Sequence, residues 1–317
     1  MPVTKTPIIV VAGPTASGKS ALALRLAEDF GGTIINADSM QVYAGIEILT
    51  SQPGHEARER KPHRLYGVLD AADPCSAARW RDLAREEIAR TDDAGRVAIL
   101  VGGTGLYLRT LVHGIADLPP IPDEARQEAR RRHAALGGEA FRIELATLDR
   151  DAADRLHAGD TQRLIRAYEV ALGTGTPLSQ WQRRANGDAD GALPAFTIVL
   201  DPPRVDLRAA IAERLRGMVR AGALDEVRRL RARRLPDDRP AMKALGVREF
   251  ARHLDGEGSL EDAIAATAVA SGQYAKRQST WFRHQMDADA RVDAQLSESV
   301  YAELNSKVSN FLLTGKD

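Results

Sequence analysis

Gly13-Pro14-Thr15-Ala16-Ser17-Gly18-Lys19-Ser20 lies between the apolar run Ile8-Ile9-Val10-Val11-Ala12 and the helix-favouring run Ala21-Leu22-Ala23-Leu24-Arg25-Leu26-Ala27. Its letters fit G-x-x-x-x-G-K-S/T, and its context fits as well: a buried strand before it and an Ala/Leu-rich helix after it. Gly13 and Gly18 permit the dihedrals that aim successive backbone N–H groups inward, and the helix N-terminus adds the positive end of its dipole. Lys19 supplies a full charge, and the Ser20 hydroxyl can reach a Mg²⁺ that bridges two phosphate oxygens. The stretch reads as a cradle for a nucleoside triphosphate or another diphosphate; the loop alone does not say which.

Working outward, short apolar runs alternate with helical patterns, which predicts a parallel sheet with crossover helices. The expected strands are Ile8 to Ala12, Thr33 to Ala37, Val97 to Val101 and Phe196 to Leu200. The long gap before the last strand opens at Pro119, Pro120 and Pro122 and closes at Asn186-Gly187-Asp188, Gly191 and Pro194, all breakers. Helical patterns fill it: Asp123 to Ala135, Gly138 to Leu145, Ala152 to Leu156 and Thr161 to Leu172. The fold class expected is α/β, a P-loop NTPase-like parallel sheet core with an inserted all-helical subdomain. Residues 1–120 and 189–317 would form the core and its C-terminal helices, and residues 121–188 the insertion.

The chain has 317 residues, 44% apolar and 28% charged, the proportions of a globular protein. No run approaches the ~20 apolar residues of a membrane span, and the first strand starts without the charged and apolar regions of a signal peptide. A cytoplasmic protein without a membrane partner is expected. The single cysteine, Cys75, cannot form an internal disulfide, and the seven histidines show no zinc spacing. Net charge is zero, yet from Arg204 to Arg252 there are fourteen Lys/Arg against seven Asp/Glu. That local excess suits a phosphate backbone, or equally a solvated face laced with ion pairs.

Two strand ends carry the remaining chemistry. The second runs into Asn36-Ala37-Asp38-Ser39-Met40-Gln41, placing Asp38 where open α/β sheets bind ligands. Asp38 could hold Mg²⁺, take a proton from a nucleophile, or simply cap a turn. The third ends in Gly102-Gly103-Thr104-Gly105-Leu106-Tyr107, where an ATPase or GTPase usually has an acidic Mg²⁺ ligand and this chain offers a threonine hydroxyl. Near the C-terminus, Tyr274-Ala275-Lys276-Arg277-Gln278-Ser279-Thr280-Trp281-Phe282-Arg283 mixes cations with aromatics. It suits nucleic acid, or a core helix with Tyr274, Gln278 and Trp281 on one face.

These segments, together with Asp160-Thr161-Gln162-Arg163-Leu164-Ile165-Arg166-Ala167-Tyr168-Glu169-Val170 and Lys243-Ala244-Leu245-Gly246-Val247-Arg248-Glu249, resemble the tRNA dimethylallyltransferases, also called tRNA isopentenyltransferases. They follow the family's order from Gly13 to Arg283. The resemblance implies transfer of a dimethylallyl group from dimethylallyl diphosphate to N6 of the adenine on the 3′ side of the anticodon in tRNA, with release of diphosphate. It implies Mg²⁺ as cofactor, with Ser20 its protein ligand, and a monomer that grips the tRNA anticodon stem-loop. Asp38 matches the family's base, and Lys19, Ser20, Arg248 and, more weakly, Lys243 match the groups that neutralise the leaving diphosphate. Thr15 would hydrogen-bond the diphosphate, within the cradle of Gly13, Pro14, Thr15, Ala16, Ser17, Gly18, Lys19 and Ser20. The residues implied to contact tRNA are Asp38, Ser39, Met40, Gln41, Thr104, Arg126, Gln162, Arg163, Leu164, Ile165 and Arg166. The target adenine would have to be extruded from its stack to react.

The chain departs from the family pattern at two places. It has Leu49-Thr50-Ser51-Gln52-Pro53 where Gly-Thr-Ala-Lys-Pro is expected, and Ser271-Gly272 where Thr-Arg is expected. Each change removes a cation from a segment expected near phosphates. A small-molecule P-loop kinase is the alternative reading, favoured by the loop taken alone and opposed by the glycine-threonine strand end and by the arginine-bearing insertion. An RNA-binding protein with a retired site is a third, opposed by the intact Asp38, Lys19 and Arg248.

Overall fold

The computed structural model describes residues 7–185 and 193–314. Six parallel strands form one sheet: β1 (Ile8–Ala12), β2 (Thr33–Asn36), β3 (His63–Arg64), β4 (Ala98–Gly102), β5 (Ala195–Leu200) and β6 (Ala290–Val292), in the order β3-β2-β4-β1-β5-β6. β1, β2 and β4 are buried at every residue, as expected of strands covered on both faces. Register is set by pairs such as Val10 with Leu100 and Val10 with Thr197. The two edge strands were not expected from sequence. β3 has only two residues and β6 three, too short to show a period.

The helices are α1 (Lys19–Asp29), α2 (His55–Arg60), α3 (Ala77–Asp93), α4 (Gly105–His113), α5 (Asp123–Leu145), α6 (Arg150–Arg155), α7 (Thr161–Thr174), α8 (Leu178–Ala185), α9 (Arg204–Arg220), α10 (Ala223–Ala232), α11 (Val247–Leu254), α12 (Leu260–Gln285) and α13 (Glu298–Thr314). None is long and apolar enough to cross a membrane among the described residues. The chain divides into two compact units, Met1–Val112 with Leu193–Asp317, and His113–Ala192.

In the first unit one face of the sheet packs Ile8, Val10, Leu100 and Val199 against Trp80, Leu207, Ile211 and Phe250. The other packs Ile9, Val11, Ile99 and Ile198 against Leu22 and Leu26 of α1 and Tyr301 and Leu304 of α13. The strand alternation thus splits β1, β2, β4 and β5 between two cores.

The second unit has its own core of Ala129, Phe141, Leu145, Ala152, Leu164 and Tyr168. The two helical patterns expected on either side of Gly137 form α5, broken at Gly137 itself, whose φ of 74° is a conformation glycine tolerates and other residues resist. α6 begins at Asp149, whose carboxylate accepts from Ala152 N at 3.0 Å and from Ser179 N at 2.9 Å, so one buried acid caps α6 and anchors α8. Of the closing breakers, Asn186, Gly187, Asp188 and Gly191 lie outside the described residues.

Candidate active site at the strand ends

The Gly13–Ser20 loop joins the C-terminal end of β1 to α1. A Cβ at Gly13 would overlap the Leu200 carbonyl oxygen of β5, so the loop can start there only as glycine. Ala16 (φ 64°) and Gly18 (φ 86°) take left-handed dihedrals that curl the chain into the helix. Gly18 caps α1 with no side chain, leaving the first-turn N–H groups free for an anion. Lys19 folds back to donate from Nζ to the Pro14 carbonyl at 3.0 Å. Ser17 Oγ is buried without a hydrogen-bond partner among the described residues.

Charge in this site is unbalanced. Burial pulls Lys19 from 10.5 down to about 8; Asp38 opposes the shift and Arg214 adds to it. Arg214, on α9, is also lowered by burial and also feels Asp38. Its Nε is buried with no hydrogen-bond partner among the described residues. Two desolvated cations therefore lie in the field of one carboxylate without an ion pair to it among the described residues, an arrangement that a multiply charged anion would complete.

Arg214 was missed in sequence, where it sat inside the arginine-rich stretch. The signal was present. Ile211, Leu215 and Met218 are core residues, and Arg214 completes their i, i+3, i+4, i+7 stripe, the one charge on an apolar face. It also borders an open cavity of about 470 Å³ whose lining includes Ser51 and Gln52.

Asp38 sits just beyond β2, in a turn built by its neighbours. Asn36 accepts from Asp38 N at 2.8 Å and donates to the Asp38 and Leu65 carbonyls, each at 3.0 Å. Asp38 Oδ1 accepts from Met40 N at 2.9 Å. The turn-capping and chemical readings of Asp38 are thus compatible: Oδ1 shapes the turn, and Oδ2 has no hydrogen bond among the described residues. Behind the turn, Trp80 donates from Nε1 to the Asn36 carbonyl at 2.9 Å and stacks on Tyr107, ring centroids 4.6 Å apart.

At the end of β4, between β1 and β2, Thr104 Oγ1 accepts from Ser39 N at 2.9 Å and donates to Ser39 Oγ at 3.2 Å. Thr104 therefore locks the Asp38 turn against β4. Glycine is required at Gly102, where a Cβ would overlap the Ala37 backbone, and at Gly105, where it would overlap the Trp281 ring. Gln41 donates from Nε2 to the Thr50 and Ser51 carbonyls at 2.8 and 3.1 Å. Glu226, buried on α10, accepts from Ile48 N and Leu49 N at 2.8 and 2.9 Å, pinning the same loop. Gln52, where the family pattern has lysine, donates to the Tyr43 carbonyl at 2.8 Å and closes the loop on itself.

The basic stretches resolve differently. Along α9 to α11 many arginines are ion-paired at the surface, as in Arg228 with Asp225 (2.6 Å), Arg231 with Asp255 (2.8 Å) and Arg233 with Asp70 (2.6 Å). Lys243 and Arg248 are exposed and have no ion-pair partner among the described residues, and no polar contact joins them to the loop. Arg248 lies in the first turn of α11, at the positive end of its dipole, where a cation is unfavourable unless an anion joins it. On α12, the face of Tyr274, Gln278 and Trp281 turns inward: Gln278 is buried, and Trp281 lies against Gly105. Ser271 of the second departure is buried as well.

In the second unit Arg126, Gln162, Arg163 and Arg166 are exposed, with the arginines bonded to Asp123 (3.1 Å), Asp160 (3.3 Å) and Glu169 (2.6 Å). Ile165 is half-buried against that unit's core. Leu164 corrects the expectation: it is fully buried among Phe141 and Tyr168, so its side chain packs the unit and does not face RNA. Its place on α7, three residues before Ala167 and four before Tyr168, is a core position.

The family model for IPP transferase matches residues 41–285. The chain is 51% identical over 313 residues to the tRNA dimethylallyltransferase of Paramagnetospirillum magneticum, covering 98% of each chain. To the tRNA dimethylallyltransferase of Rhodospirillum centenum it is 52% identical, over 92% of this chain and 93% of that one. It is similar to the crystal structure of the full-length tRNA isopentenylpyrophosphate transferase from Bacillus halodurans (TM-score 0.71, 30% identity, 99% and 98% covered). It is also similar to a eukaryotic dimethylallyltransferase caught acting on tRNA (TM-score 0.80, 25% identity, 96% of this chain and 80% of that one). With a loop of the right geometry, a carboxylate at the neighbouring strand end, and relatives matching nearly its whole length, this chain belongs to the IPP transferase family.

Proposed function

We propose that this protein transfers a dimethylallyl group from dimethylallyl diphosphate to N6 of the adenine 3′-adjacent to the anticodon in tRNA, releasing diphosphate. The observation that carries the reading is the placement of two desolvated cations, Lys19 of the loop and Arg214 of α9 with its unpartnered Nε, within the field of the Asp38 carboxylate beyond β2. A kinase would need only the first part of that arrangement. The relatives described above are named for tRNA modification, and none of them is named a kinase.

The chemistry follows from the residues. The loop N–H groups and Lys19 hold the diphosphate by its oxygens, so the allylic C1 points away from the cradle. Adenine N6 is a weak nucleophile because its lone pair is delocalised into the ring. Asp38, fixed by Asn36 and Met40, accepts the N6 proton as the N6–C1 bond forms and the C1–O bond breaks. Negative charge then grows on the departing diphosphate, where Lys19 and Arg214 meet it in a poorly solvated setting. Thr15, Arg248 and Lys243 remain further diphosphate contacts in this proposal. Mg²⁺ fits the residues present: the exposed Ser20 hydroxyl and the diphosphate oxygens would hold it, where it would supply charge neutralisation. No cluster of three acidic, histidine or cysteine side chains suggests a metal site independent of substrate among the described residues.

On the acceptor side, Ser39, Met40, Gln41 and Thr104 surround the proton-accepting carboxylate. Arg126, Gln162, Arg163, Ile165 and Arg166 supply the contacts to the tRNA anticodon stem-loop from the inserted unit, which acts in a monomer. The test is incubation with dimethylallyl diphosphate, Mg²⁺ and unmodified tRNA, followed by mass spectrometry of the digested RNA. Prenylated adenine supports the reading; unmodified RNA, with ATP consumed in the presence of a small alcohol, overturns it.

A further inference from the structure

Gln278 is a buried amide whose two ends are both engaged, each on a different half of the site. Its Oε1 accepts from Thr15 N, in the phosphate loop, at 2.8 Å. Its Nε2 donates to the Gly103 carbonyl, at the end of β4, at 2.8 Å. Thr15 lies 263 residues away in sequence and Gly103 lies 175, so α12 reaches back to join the first and fourth strand ends. A Cβ at Gly103 would overlap the Gln278 side chain, so the chain is glycine there to admit it. Thr104, the residue after Gly103, holds Ser39 N, next to Asp38.

These contacts form one path: Thr15 on the diphosphate side, then Gln278, then Gly103 with its neighbour Thr104, and Ser39 on the acceptor side. We infer that Gln278 is a positioning residue that fixes the distance between the diphosphate loop and the Asp38 turn. The inference rests on the prenyl-transfer reading above.

Asparagine, serine or water could satisfy Thr15 N alone. Only a side chain with an acceptor and a donor at fixed separation can satisfy both partners from one helix. Because an amide buried with both ends paired has one low-energy rotation, it behaves as a rigid strut. An in-line displacement is sensitive to such a strut: a misplacement of about 1 Å costs on the order of 10²-fold in rate.

The experiment uses the full chain with dimethylallyl diphosphate and tRNA, measuring KM for each substrate and kcat for wild type, Gln278→Glu and Gln278→Leu, with a thermal melt of each. Wild-type transfer is the control that separates the two claims: if wild type transfers no prenyl group, the functional reading fails. With wild type active, Gln278→Glu, which keeps the acceptor for Thr15 N and loses the donor for Gly103, is expected to raise both KM values and lower kcat by about 10²-fold. Gln278→Leu should do the same and melt lower. A purely structural role would reduce only the active fraction. Folded Gln278→Glu with wild-type KM values for both substrates and wild-type kcat would overturn the inference.

Discussion

The arginines and lysine of the strand-end site and those of the inserted helical unit are the same chemical types in opposite electrostatic settings. Lys19 and Arg214 are desolvated, feel the charge of one carboxylate, and have their own charge opposed by burial. Arg126, Arg163 and Arg166 are exposed, each bonded to an acid three residues away. A cation that is costly to bury and has no acid bonded to it is poised for an anion that arrives with the substrate. One that is hydrated and paired can exchange its acid for a phosphate at little cost and little gain. Chemistry is expected to reside with the first kind and affinity with the second.

The sharpest way to break this contrast is at Asp38. Asp38→Asn keeps an oxygen for Met40 N but removes the base, and is expected to lower kcat by about 10²-fold or more while tRNA still binds. Near wild-type turnover, read by prenyl incorporation under saturating substrates, would remove Asp38 from the chemistry.

Arg214→Met separates charge from packing. Transfer should fall by about 10²-fold, as when a charge-stabilising donor is lost. Stability should hold or rise, because the buried Nε has no partner to lose. A variant that melts several degrees lower and stays active would mean that Arg214 serves the fold.

The loop and the site differed in how far sequence revealed them. Gly13 to Ser20 and the strands beneath it were legible because each residue type has a local reason: glycine at positive φ, a lysine and a hydroxyl at a helix start, unbroken apolar runs. Asp38 and Thr104 were legible because strand ends have a fixed place in a parallel sheet. Gln278 and Glu226 were not, since their partners lie 263 and 178 residues away and amide or carboxylate pairing leaves no periodic mark. Arg214 was readable in principle from its helical stripe, and Leu164, named only through the family resemblance, sits at a core position that its spacing to Ala167 and Tyr168 marks. The edge strands β3 and β6 owe their form to a neighbouring strand more than to their own residues.

A smaller effect tests the desolvated lysine. Lys19 is protonated below about 8 and neutral above it, so its pull on the diphosphate is present at low pH and lost as pH rises. KM for dimethylallyl diphosphate should climb above pH 8, by up to roughly tenfold per unit if Lys19 dominates. A flat profile from pH 7 to 10 would place the binding charge elsewhere.

The smallest effect is expected in the insertion. Arg163→Ala and Arg166→Ala should each raise KM for tRNA only a few-fold and flatten its log–log salt dependence by about one unit, with kcat unchanged. A loss of kcat comparable to that of Asp38→Asn would erase the distinction between the two regions.

The central claim is that the loop holds a leaving group and that reaction occurs at carbon. The most direct measurement follows a heavy oxygen isotope placed in the C1–O bridge of dimethylallyl diphosphate through one round of transfer. All of the label should leave in the released diphosphate, and the RNA should gain the prenyl mass without it. Label retained with the dimethylallyl group, or a phosphoryl group appearing on the acceptor, would contradict the account and return the loop to chemistry at phosphorus.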